Sequence, residues 1–215
     1  MNTNIVSASA IQREYDRLGY SLGWRFITCP ESQATDPEAL IISLNPAGRK
    51  EHGPSWSQEA GSAYIVESWK GLPVGKAPLQ IQVQRLVELL GLSFDQILSG
   101  HFVPFRSPSW DELAHREEAI SFGKKLWYQF ASPLKPKRVI CIGHEVSTHL
   151  RGLFGVHKLR ERPSGWGSQK IKTAIGRNGL HFISLPHLSR FPLFTREPCQ
   201  PYLDAVFVEP EATSA

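Results

Sequence analysis

Apolar positions along the chain follow two patterns. Leu40-Ile41-Ile42 and Val139-Ile140-Cys141-Ile142 are short unbroken runs with no polar alternation, and they read as strands buried on both faces. Elsewhere apolar residues recur at helical spacing. Ser9 is expected to cap a helix reaching about Leu22, with Ile11, Tyr15, Leu18 and Leu22 on one face. A second helix is expected over 79–91, with Leu79, Val83, Leu86 and Leu90 inward and Gly91 as its stop. Ser109-Trp110-Asp111-Glu112 has the form of a capping box and is expected to start a helix running to about Ser132, ended by Pro133 and Pro136. Gly143-His144 turns into a short helix to about Leu153, and a closing helix spans about 198–207 with Pro198 in its first turn.

Strands are expected at 39–44, 101–103, 138–142 and 181–185. Asn178-Gly179 is a two-residue hairpin signal between 170–177 and 180–185. The stretches 28–38, 45–78 and 154–169 are rich in Gly, Pro and small polar residues and read as loops. Long loops in compact domains are usually functional or disordered, and Trp56, Tyr64 and Trp69 favour order for 45–78. Strands thus alternate with helices. The expected fold is α/β, three layers (αβα) around a central, mainly parallel four-stranded sheet, in a single domain over residues 1–215. Small polar residues at the start predict fraying there, with 1–8 and 209–215 disordered.

Composition narrows the class. With 215 residues, 41% hydrophobic and 20% charged, the chain suits one globular core. No window approaches the roughly 20 apolar residues of a membrane span. The N-terminus lacks a basic region followed by an apolar one, so no signal peptide is expected. Three scattered cysteines (Cys29, Cys141, Cys199) argue for a reducing, cytoplasmic setting and against a disulfide framework or a four-cysteine cluster. The net charge of +4 is compatible with a polyanionic partner. The eight histidines show no metal-ligand spacing, so neither a metal nor a cofactor is expected.

Each apolar strand ends in a polar turn, and in open α/β sheets ligands bind at those carboxyl ends. Four such turns would converge: Asn45-Pro46, His101 to Arg106, Gly143-His144 and His187-Leu188-Ser189. This set resembles the uracil-DNA glycosylase superfamily. Leu44-Asn45-Pro46-Ala47-Gly48 is similar to its first motif in the Asn-Pro form, and Pro186-His187-Leu188-Ser189 to its second motif, with Leu188 in place of the usual proline. Phe102-Val103-Pro104-Phe105-Arg106 resembles the segment whose strand end reads the base, and Lys137 to Gly143 the strand before a phosphate-contacting helix start. The resemblance covers about 38–205.

It implies a monofunctional DNA glycosylase that hydrolyses the N-glycosidic bond of a flipped, altered base and leaves an abasic site. The transition state is oxocarbenium-like and the base departs as an anion. His187, with a neutral imidazole, would stabilise that anion. Asn45 would position the attacking water without taking its proton, which implies a slower enzyme than the aspartate-bearing branch. The resemblance places Tyr64 as the stacking aromatic, with Pro46 and Phe105 also at the base. Ser189, Arg190 and Phe191 fall where the family meets DNA and wedges the duplex. Gly143 and His144 would offer backbone donors to a phosphate, and Arg160 and Arg162 would neutralise others. One departure stands out: the family's base-reading asparagine falls on His101, so the target is either uracil or a modified base such as glucosylated hydroxymethylcytosine. The partner is DNA, single- or double-stranded, and the chain is expected to act as a monomer. A non-catalytic DNA-binding or damage-sensing module on the same fold is the alternative. A nucleotide-binding protein would need a Gly-rich phosphate loop that this chain lacks.

Overall fold

The computed structural model describes residues 6–207. Its centre is one sheet of six strands: β1 (Ala39–Ser43), β2 (Ile97–His101), β3 (Arg138–Ile142), β4 (Arg160–Pro163), β5 (Lys170–Ile175) and β6 (His181–Leu185). The strand order is β2-β1-β3-β6-β5-β4. The first four of these run parallel, and β5 and β4 add antiparallel at one edge. The sheet is therefore mixed and six-stranded, not four-stranded. The two extra strands come from the hairpin arm and from the basic loop, where β4 carries an Arg-Glu-Arg-Pro sequence with no apolar run to announce it.

Six α-helices accompany the sheet: α1 (Ala8–Arg17), α2 (Ala63–Val66), α3 (Pro78–Leu89), α4 (Arg116–Ala131), α5 (His144–Leu150) and α6 (Gln200–Phe207). The runs read as doubly buried strands are buried because helices cover both faces. Leu40 and Ile42 of β1 and Val139 and Cys141 of β3 join one core with residues of α1, α4 and α5. Ala39, Ile41, Ile140 and Ile142 join a second core with α2, α3 and α6. This alternation yields the three layers. Among the described residues no helix is long and apolar enough to cross a membrane.

Several boundaries differ from expectation. Ser7, not Ser9, caps α1, accepting from the Ala10 N–H, and the helix stops at Arg17. Residues 7 and 8 are thus ordered; the remainder of the ends expected to be disordered, apart from residue 6, lies outside the described residues. The loop at 28–38 holds a short 3-10 turn, Glu31–Ala34. The second strand lies upstream of 101–103, at Ile97–His101, and its Ser99-Gly100 sequence hides it from a hydrophobic pattern. There a Cβ at Gly100 would meet the Phe26 carbonyl at 2.9 Å, because residues 26–28 run alongside this strand. The capping box at Ser109–Glu112 closes only a turn, with Ser109 Oγ donating to Glu112 at 3.0 Å. The helix waits until Arg116 because His115 is left-handed, at φ 47°. The hairpin turn is longer than two residues: Gly176 N–H bonds the Leu180 carbonyl around a 3-10 turn, Arg177–Gly179.

Candidate active site

The four parallel strands end level with one another. Ser43 lies opposite His101 on one side and Ile142 on the other, and Ile142 lies opposite Leu185. After β1 the chain passes to α2 and α3 on one face, whereas after β3 it passes to α5 on the other. The crevice between the ends of β1 and β3 is therefore a topological switch point, where open α/β sheets bind ligands. The turns after β1, β3 and β6 bring Asn45, Gly143 and His187 to it.

Asn45 is partly buried and held in one orientation. Its side-chain NH2 donates to the Ser107 hydroxyl at 2.8 Å and to the Phe105 carbonyl at 3.1 Å, with a longer bond to the Pro46 carbonyl at 3.3 Å. Ser107 Oγ in turn donates to the Ser109 carbonyl at 2.7 Å, so it meets Asn45 as an acceptor. The Asn45 carbonyl oxygen remains to accept a proton donor. His187 sits over the end of β3: a Cβ on Gly143 would lie 3.8 Å from its ring. Its Nδ1 pairs with Ser189 Oγ at 2.8 Å. Burial, and secondarily the Arg190 charge, lower its pKa, which favours the neutral imidazole.

His101 ends β2, and its Nδ1 bonds the Ser43 hydroxyl at 2.9 Å. Burial, with the charges of Arg25 and Arg106, pushes its pKa down to about 3, so the ring is neutral at ordinary pH.

Other expected residues are placed differently. Tyr64 is 2% exposed and packs edge-on against Trp69, so its ring is a core element and not an open stacking face. Phe105 is fully buried in a ring stack with Tyr20 and Phe122; only its carbonyl reaches the site. Pro46 is buried, and its carbonyl accepts from Ser107 N–H at 3.2 Å. Gly143 cannot give its N–H to a phosphate because it donates to the Leu185 carbonyl at 2.9 Å. The His144 ring faces inward to Ser184 Oγ at 2.7 Å, while its backbone N–H, the group expected to meet a phosphate, lies at the first residue of α5. Phe191 is anchored on Trp166, whereas Ser189 and Arg190 are exposed. Arg160 and Arg162 lie on β4, separated from β1 by three strands.

The hydrophobic pattern passes over three charged residues here. Arg25 and Glu67 form a bidentate pair, with Nη2 to Oε1 at 2.6 Å and Nη1 to Oε2 at 3.0 Å. Arg106 donates to the Ala47 carbonyl at 2.7 Å, on the Asn45 turn. The signal for Arg25 is a lone charge in the apolar run Gly23-Trp24-Arg25-Phe26-Ile27. A shallow depression lies elsewhere, bounded by Arg162, Thr173, Ile175, His181 and Val206. It borders the start of β6, away from the converging turns. Among the described residues no group of three or more His, Cys, Asp or Glu side chains is arranged to hold a metal ion. No family model matches the chain, and no curated protein matches it.

Proposed function

We propose that the chain is a monofunctional DNA glycosylase of the uracil-DNA glycosylase type. One observation carries this: an asparagine locked with its oxygen available and a neutral histidine occupy the strand-end turns on either side of β3, at the same rim of the sheet. Asn45 Oδ1 accepts a hydrogen bond from the attacking water and directs its lone pair at C1′ of a flipped nucleotide. Bond breaking precedes full attack, so the sugar carries the positive charge and the base the negative. With Ser189 donating to Nδ1, His187 holds its proton on Nε2 and donates to the base carbonyl as charge gathers there. Asn45 cannot remove the water's proton, which passes to solvent once the bond has formed. His101 reads the base edge. A histidine offers one fewer hydrogen-bonding group than an asparagine amide, so the target is a modified cytosine or a uracil read in a different way. Cys29, Cys141 and Cys199 are buried free thiols, which suits a reducing cytoplasmic setting.

The test is base release. Labelled DNA carrying uracil or a modified cytosine is incubated with the protein, then treated with alkali. Strand breaks only after alkali are the expected result. His187→Ala should lower the rate about 10²–10³-fold and leave DNA binding intact. A wild-type rate in that variant removes the histidine assignment. The closed Tyr64 ring favours a second reading, a DNA-binding module without turnover, because the base then lacks an open stacking face. Tight binding with no release from any substrate would establish it.

A further inference from the structure

The turn between β4 and β5 has no part in the steps above, yet it stands at the same rim. β5 runs antiparallel to β6, with Lys172 opposite Ser184, so residues 164–169 lie beside the exit of β6 that carries His187. The turn is tied down at several points. Ser164 Oγ donates to the Gln169 carbonyl at 2.8 Å and accepts from Trp166 N–H at 3.2 Å, and Gln169 N–H closes onto the Trp166 carbonyl at 2.9 Å. At Gly165, left-handed at φ 74°, a Cβ would lie 2.4 Å from the Pro198 carbonyl, so the turn sits directly on the start of α6.

What this turn presents is a half-buried tryptophan. Phe191 braces the Trp166 ring edge-on, with centroids 6.1 Å apart, and its N–H donates to the His187 carbonyl at 3.0 Å. The Arg196 guanidinium lies over the same ring, 4.3 Å from its centre. Arg196 is exposed, and among the described residues no carboxylate pairs with it and no acceptor meets the Trp166 Nε1–H. An exposed cation over a ring contributes little to folding. An aromatic ring carrying a planar cation is, however, a surface on which any nucleobase stacks, while the charge attracts the phosphates of the strand. A base inside a duplex already has stacking neighbours and a pairing partner, so only an unpaired base is free to reach this surface. Resting on the glycosylase reading, we infer that Trp166 and Arg196, braced by Phe191, form a stacking site for an unpaired base near the flipped nucleotide, which makes single-stranded DNA the preferred partner.

The experiment measures equilibrium binding by the wild-type chain to three probes of equal length: single-stranded oligothymidylate, its duplex with oligodeoxyadenylate, and an abasic sugar-phosphate strand. The thymidylate should bind about tenfold or more tighter than either of the others. Trp166→Leu should remove that advantage and leave affinity for the abasic strand unchanged, which also shows that the variant folds. Trp166→Phe, which restores a ring, should recover most of it. Arg196→Gln, at an exposed position, should weaken thymidylate binding about two- to fivefold. Thymidylate bound no tighter than the abasic strand or the duplex, an advantage that survives Trp166→Leu, or wild-type binding by Arg196→Gln would overturn the stacking site. None of these probes carries a target base. An intact advantage with no base release from any substrate would therefore overturn the glycosylase reading and leave the stacking site standing.

Discussion

Asn45 is fixed by what surrounds it more than by what it is. Its donors face the oxygens of Ser107, Phe105 and Pro46, so its own oxygen points to the remaining side. An aspartate there would set a carboxylate against two carbonyls. Asn45→Asp is therefore expected to destabilise the protein by about 1–3 kcal/mol in urea unfolding and to slow base release. A faster enzyme would mean that the turn re-forms around the carboxylate. His101 gives a second prediction. Its folded pKa of about 3 lies below its ordinary 6.5. The unfolded chain thus takes up the proton first as pH falls. Stability is complete above about 6.5 and is lost progressively between there and about 3. His187 and His144 are lowered too, mainly by burial, and act in the same direction. The melting temperature should decline below about pH 6.5, and His101→Asn should make the decline shallower; an unchanged slope would refute the assignment.

At the scale of elements, the site depends on how closely α4 approaches the exit of β2. A Cβ on Gly123 would lie 2.5 Å from the Phe102 carbonyl, and Trp127 of the same helix donates to the His101 carbonyl at 2.9 Å. Gly123→Ala must push α4 away or bend the strand end. It should cost about 1–3 kcal/mol and reduce base release by moving His101, measured as thermal unfolding and single-turnover kinetics on one preparation. Wild-type kinetics in a destabilised variant would show that His101 does not depend on this contact. Elements with strong apolar periods were legible in the sequence: β1, β3, β6 and α3 lie within two residues of expectation. Elements defined by partners were not. β2 carries a polar-small pair because neighbouring backbone crowds it, and β4 exists only because β5 supplies its hydrogen bonds.

For the whole molecule, exposed Arg49, Lys50 and Arg190 border the strand-end rim. DNA affinity should fall steeply with added salt, and Arg190→Ala should reduce the slope of log affinity against log salt by about one. An unchanged slope would place Arg190 away from phosphate. The sequence by itself determined the α/β class, the parallel strands buried on both faces and the gathering of Asn45, His101 and His187 at one rim. Apolar runs set which segments lie inside, and strand ends then share an edge by topology. Only the tertiary structure decided that Tyr64 and Phe105 are core rings, that the Gly143 N–H is spent on the sheet, and that Arg25 and Glu67 meet beside His101. Those outcomes depend on contacts between segments far apart in the chain, where burial and hydrogen-bond competition among neighbours override what any local pattern records.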